Sequence, residues 1–169
     1  MKSAQVASVG LLLVLFLAGC SGGSGRERDT VGVSVDSKAV GTFKNQDAAV
    51  AKASELAGFR VLAAEDLPKD SSVTGVNVVR SGIAAGAQIL VSNSRGGLLI
   101  EELQGQPIDA GEPWAVAGGE GEYSKAASPG VQVYSVHRNG RVFVITTHSE
   151  TALSEEEAAA ILKAFAKAV

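Results

Sequence analysis

VQVYSVHRNGRVFVITTH, residues 131–148, is the stretch from which the fold can be read. Two runs of alternating apolar residues flank Asn139-Gly140. That dipeptide is the strongest short hairpin signal, because both residues of a type I′ turn need positive φ. A two-residue turn fixes the register: Arg138 opposes Arg141, Val136 opposes Phe143, and Tyr134 opposes Ile145. The last two pairs, large and apolar, mark the face turned to the core. The other face sets His137 against Val142, Ser135 against Val144, Val133 against Thr146 and Val131 against His148. It is neither a clean solvent face nor a clean core. Val133, Val142 and Val144 therefore either line a groove for an apolar ligand or lie on a central strand partly covered by a loop.

Something must cover the core face, and the sequence downstream supplies it. Ser154 and Glu157 form a capping box, after which Ala158, Ile161, Leu162, Phe165 and Ala168 recur at helical spacing. Glu155, Glu156 and Glu157 in the first turn and Lys163 and Lys167 near the end suit the helix dipole. The spacing predicts a helix over 154–168. Upstream, Asn45 as N-cap and Gly58 as a left-handed terminator bound a second helix over 46–57, whose narrow stripe of Ala49, Ala53, Leu56 and Ala57 suits close packing on a sheet.

The remaining apolar runs predict strands at Val31–Val35, Phe59–Leu62, Val73–Arg80, Ala87–Ser92 and Gly97–Leu103, the last two joined by the turn Asn93-Ser94-Arg95-Gly96. Residues 63–72, with Pro68, read as a loop, and residues 105–130 are poor in pattern. The fold class expected is α+β: a single domain over 31–169, with one curved, mainly antiparallel sheet of five to seven strands and two helices packed on it.

The N-terminus reads differently. Lys2, the apolar run from Val9 to Leu17 and a small-residue site form a secretory signal over residues 1–19, too short to span a bilayer. Leu17-Ala18-Gly19-Cys20 resembles the lipobox of bacterial lipoproteins. The resemblance implies that the Cys20 thiol takes a diacylglyceryl group and that cleavage falls just before it. Cys20 is the sole cysteine, so no intramolecular disulfide is possible. Two acyl chains, at about 0.8 kcal/mol per buried CH₂, give stable anchoring. Residues 20–30 then form a lipidated cysteine and a flexible tether; ten such residues reach roughly 17 Å. The domain is expected outside the cytoplasm on the cell membrane, or on the outer membrane if the host has two, since Ser21 is not the aspartate linked to inner-membrane retention.

Little in the sequence points to catalysis. The net charge is −3 for the whole chain and −4 once Lys2 is removed with the signal. An acidic, aromatic-poor chain argues against nucleic acid as a partner. His137 and His148, the two histidines, lie six residues apart along the hairpin, about 20 Å, so they cannot share a zinc whose ligands sit within about 2.1 Å. No G-x-S-x-G elbow is present. Glu101 and Glu102 point to opposite faces of a strand and form no acid/base pair; one faces inward or both sit on a solvated edge. Gly118-Gly119-Glu120-Gly121 lacks the lysine of a phosphate loop. No cofactor or metal is expected. Trp114 and Tyr123, flanking that glycine stretch, are the aromatics expected either to touch a ligand or partner or to pack in the core.

The helix and the segment after it, AAVAKASELAGFRVLAAEDLP (48–68), the hairpin VYSVHRNGRVFVITT and the closing LSEEEAAAILKAF together resemble a bacterial extracytoplasmic domain of unknown function. That domain occurs in lipoproteins and in the outer parts of some anti-sigma factors. In outline it is similar to the lipoprotein-sorting-protein-like fold. The resemblance implies a non-enzymatic protein that binds an apolar ligand or lipid, or senses envelope state. The other reading is a protein–protein interaction module of the cell envelope, using a loop surface around Trp114 and Tyr123.

Overall fold

The computed structural model describes residues 30–80, 85–105, 111–148 and 152–169. Cys20, the signal and the tether lie outside the described residues. The chain runs β1 (Val31–Val35), β2 (Lys38–Phe43), α1 (Gln46–Ala57), β3 (Ser72–Val79), β4 (Gly86–Asn93), β5 (Gly96–Gln104), β6 (Glu112–Pro113), β7 (Glu122–Ser128), β8 (Val131–Arg138), β9 (Arg141–Thr147) and α2 (Glu155–Ala168). The strands form one sheet in the order β2-β1-β3-β4-β5-β9-β8-β7-β6. Only β1 and β3 run parallel, joined by a crossover through β2 and α1; the other neighbours are antiparallel. The fold is α+β, a mixed and mostly antiparallel sheet with two helices on it.

The hairpin has the register set by its turn. Arg138 pairs with Arg141, Val136 with Phe143 and Tyr134 with Ile145, around Asn139 at φ 51° and Gly140 at φ 74°. The ladder ends at Val133 and Thr146. The expected pairing of Val131 with His148 is not made, because the Thr147 Oγ1 takes the Gln132 N–H at 3.0 Å and closes the strand end.

Both helices have the expected caps. Asn45 Oδ1 accepts from the Ala48 N–H at 2.9 Å, Gly58 ends α1 at φ 75°, and Ser154 and Glu157 bond each other's backbone N–H. Ala49, Val50 and Ala53 of α1 and Ile161, Leu162 and Phe165 of α2 are buried against Val33, Val76, Val78, Ile89, Ile100, Phe143 and Ile145. Phe143 and Phe165 stack with centroids 4.7 Å apart.

The described residues form nine strands where five to seven were expected. The additional ones carry little apolar signal because they need little. β2 is an edge strand exposed along almost its whole length, entered through Asp36 and Ser37, both at positive φ without a glycine. β7 is built of small and polar residues, with only Tyr123 buried. In β3, Val73 and Val76 fall out of alternation. A bulge between Val73 and Gly75 supplies the extra residue, so Val73, Val76 and Val78 all reach the core.

Phe59–Leu62 is not a strand. Residues 60–65 are irregular backbone whose polar groups are met by side chains, as burial requires. The Arg60 carbonyl accepts from Arg141, the Val61 N–H donates to Ser54 Oγ, the Leu62 N–H donates to Glu102, and the Ala64 carbonyl accepts from Gln46. With side chains filling the role of a neighbouring strand, the segment lies against the core without joining the sheet.

Candidate ligand site

Period-two alternation gives this sheet two different faces. The helix face holds the core, including a charge. Glu102, fully buried, accepts from the Leu62 N–H at 2.9 Å and forms an ion pair with Arg141. The Arg141 guanidinium lies 5.9 Å from the Phe59 ring centre and 5.5 Å from that of Phe143, and donates to the Arg60 carbonyl at 2.8 Å. Burial pushes its pKa down, and nearby Arg60 adds to the shift. Of the two neighbouring glutamates, then, Glu102 faces inward. The pair fastens residues 60–62 to the sheet.

Trp114 and Tyr123 also stand on the helix face. Their rings meet edge to face at 6.4 Å, Trp114 lies 5.3 Å from Tyr134, and Lys125 Nζ lies 5.9 Å from the Trp114 ring centre. Tyr123 is 8% exposed, and burial raises the pKa of its phenol. Both aromatics are brought together as packing against the core, with Trp114 half-buried. A cleft of about 310 Å³ opens between the helices beside residues 60–63, but Asp47, Arg60 and Glu65 ring it.

On the opposite face, the described residues place no helix. Val142 is 1% exposed and Val144 6%, outside the main core cluster, and Val133 is half-buried beside them. His137 stands at the rim, Nδ1 3.5 Å from a Glu122 carboxylate oxygen, while His148 is exposed. The three valines occupy neighbouring positions on β8 and β9, as their register dictates.

Further across this face lies the feature the sequence did not advertise. Gly32 of β1, Gly75 of β3 and Leu90 of β4 are direct partners in adjacent strands, and Thr42 of β2, opposite Gly32, continues the line. Two glycines side by side, flanked by Thr42 and by Leu90, whose Cδ1 a Cβ on Gly75 would meet at 3.5 Å, leave the sheet low there. The result is a trough of about 420 Å³, lined mainly by apolar atoms. A Cβ built on Gly32 would meet nothing closer than the Thr74 carbonyl at 3.9 Å, so the space above it is open.

One row along, the floor gives way to a polar wall. Ser34 Oγ donates to Asn77 Oδ1 at 2.8 Å, as does the Ser37 N–H at 3.0 Å. Asn77 Nδ2 donates to Gln88 Oε1 at 2.9 Å, and Gln88 Nε2 donates to Glu101 Oε1 at 3.0 Å. Register places Ser34, Asn77, Gln88 and Glu101 directly opposite one another in β1, β3, β4 and β5. Reading for apolar alternation passed over this row, since glycines and amides give no period-two signal. The signal that was present is the in-phase spacing Gly32-x-Ser34 and Gly75-x-Asn77.

No protein-family model and no curated protein matches this chain.

Proposed function

We propose that this protein is a lipid-anchored, extracytoplasmic lipoprotein without catalytic activity, whose domain binds an apolar molecule or lipid. The observation that carries the reading is the glycine-floored trough, an open apolar recess of about 420 Å³ on the helix-free side of the described sheet. A sheet face gains nothing for folding by omitting side chains, since glycine in a strand costs entropy and packs nothing. Close approach by another molecule is a use that fits the omission.

The anchor suits the same reading. The tether that follows Cys20 enters the domain at Thr30 and continues directly into β1, whose Gly32 and Ser34 line the trough. A reach of roughly 17 Å keeps that strand near the bilayer surface. The cell membrane, or the outer membrane of a two-membrane host, is the location that follows. The resemblance to an extracytoplasmic domain of lipoproteins points the same way.

The test is native mass spectrometry of the chain from residue 26 onward, purified under gentle conditions, with solvent extraction of whatever accompanies it. A stoichiometric apolar ligand is expected, lost when Gly32→Val fills the trough. A clean ligand-free mass would refute the reading and turn attention to protein partners around Trp114. Fatty-acid labelling of the full chain, abolished by Cys20→Ser, tests the anchor separately.

A further inference from the structure

The polar wall beside the trough has a direction, and Glu101 sets it. A carboxylate only accepts hydrogen bonds, so Gln88 must turn its NH₂ toward Glu101 and its oxygen toward Asn77. Asn77 must in turn present its NH₂ to Gln88 and its oxygen to Ser34 and Ser37. Three side chains are thus held in one orientation by a charge at the end of the row. Among the described residues Glu101 takes that single hydrogen bond and pairs with no cation.

Its surroundings make the charge conspicuous. Glu101 is half-buried, with Val144 beside it on β9 and Leu99 and Leu103 two positions away along β5. No lysine or arginine stands on this face of the described strands. A carboxylate among apolar neighbours without a counter-charge is costly unless a cation joins it. Asn77, which lines the trough, and Glu101 are two strands apart, about 10 Å at the usual spacing. An alkyl chain lying over Gly32 and Gly75 would bring a head group to Glu101.

We infer that the trough's ligand is an amphiphile whose head carries a positively charged amine. The apolar tail lies on the glycine floor and the ammonium pairs with Glu101, while the Ser34–Asn77–Gln88 row offers hydrogen bonds along the way. This rests on the trough being a ligand site and adds the class of ligand it takes.

The experiment uses the full chain in liposomes and three photoreactive alkyl probes that share one tail and differ in head group: amine, alcohol or carboxylate. The amine probe should label peptides of Val31–Phe43 and Ser72–Val79. In Glu101→Gln, which keeps an acceptor for Gln88, its labelling should drop about tenfold relative to wild type in the same bilayers. The alcohol probe should be unaffected by that substitution, and the carboxylate probe should label the variant more than wild type. Equal amine labelling of the two proteins overturns the inference. Alcohol labelling of the trough, lost in Gly32→Val, would in that case still uphold the site itself; no labelling by any probe overturns both. Competition by an aminophospholipid of the bilayer, as against added free alkylamine alone, distinguishes a membrane lipid from a soluble amphiphile as the source.

Discussion

Exchanging Arg141 for methionine should cost this fold more than exchanging Glu102 for glutamine, although the two form one ion pair. Glu102 is fully buried, whereas the Arg141 side chain keeps 18% of its surface open. In Arg141→Met the carboxylate stays in the core with only the Leu62 N–H to meet it. Breaking a buried pair in this way costs about 3–5 kcal/mol. In Glu102→Gln the amide still accepts from Leu62, and Arg141 retains the Arg60 carbonyl, the rings of Phe59 and Phe143, and water. A loss of about 1–3 kcal/mol is expected. The pair Arg141→Met with Glu102→Leu removes both charges and leaves only the Arg60 carbonyl and Leu62 N–H unmet. It should therefore be more stable than Arg141→Met alone. Urea titrations followed by circular dichroism, compared at constant slope, give the three values. If the double variant is no more stable than Arg141→Met alone, the pair is not coupled and the account of residues 60–62 fails.

Phe165→Ala removes the ring stacked on Phe143 and should destabilise by about 3–5 kcal/mol in the same titration. Gly140→Val forces a branched side chain to φ 74° and should cost about 1–2 kcal/mol, while leaving trough labelling unchanged. Two carboxylates shape the acid limb. The Ser94 hydroxyl and N–H lower the pKa of Asp70, and Arg95 together with the Ser154 N–H lowers that of Glu157. A carboxyl group held low in the folded state binds fewer protons there than when unfolded. Its contribution is therefore whole above the ordinary carboxylate range and fades as the pH falls through the lowered value. Thermal melts of Asp70→Asn with Glu157→Gln should lie below wild type at neutral pH and converge on it in acid; a constant gap would contradict this.

How much was legible depended on whether a residue's neighbours along the chain or across space decide its role. The caps of α1 and α2 are local, since Asn45 reaches three residues on and Ser154 and Glu157 satisfy each other. The hairpin register is equally local, because Asn139-Gly140 leaves no freedom to slip. Phe59–Leu62 has the composition of a strand, yet distant side chains took its backbone hydrogen bonds first. Trp114 and Tyr123, open to either reading, are packed together by the pairing of β6 with β7 and the bond from the Trp114 N–H to the Tyr123 carbonyl.

Residues close together in the chain were enough to read the two helices with their caps, the hairpin and its two faces, and the α+β class. Each rests on periodicity or turn chemistry within a few residues. Tertiary structure alone decided which glutamate entered the core, how β1 came to lie parallel to β3, and that Gly32 and Gly75 stand side by side with Ser34 and Asn77 next to them. Those are facts of register between strands some forty residues apart, and a chain read in one dimension carries the residues of such a row without their order across the sheet.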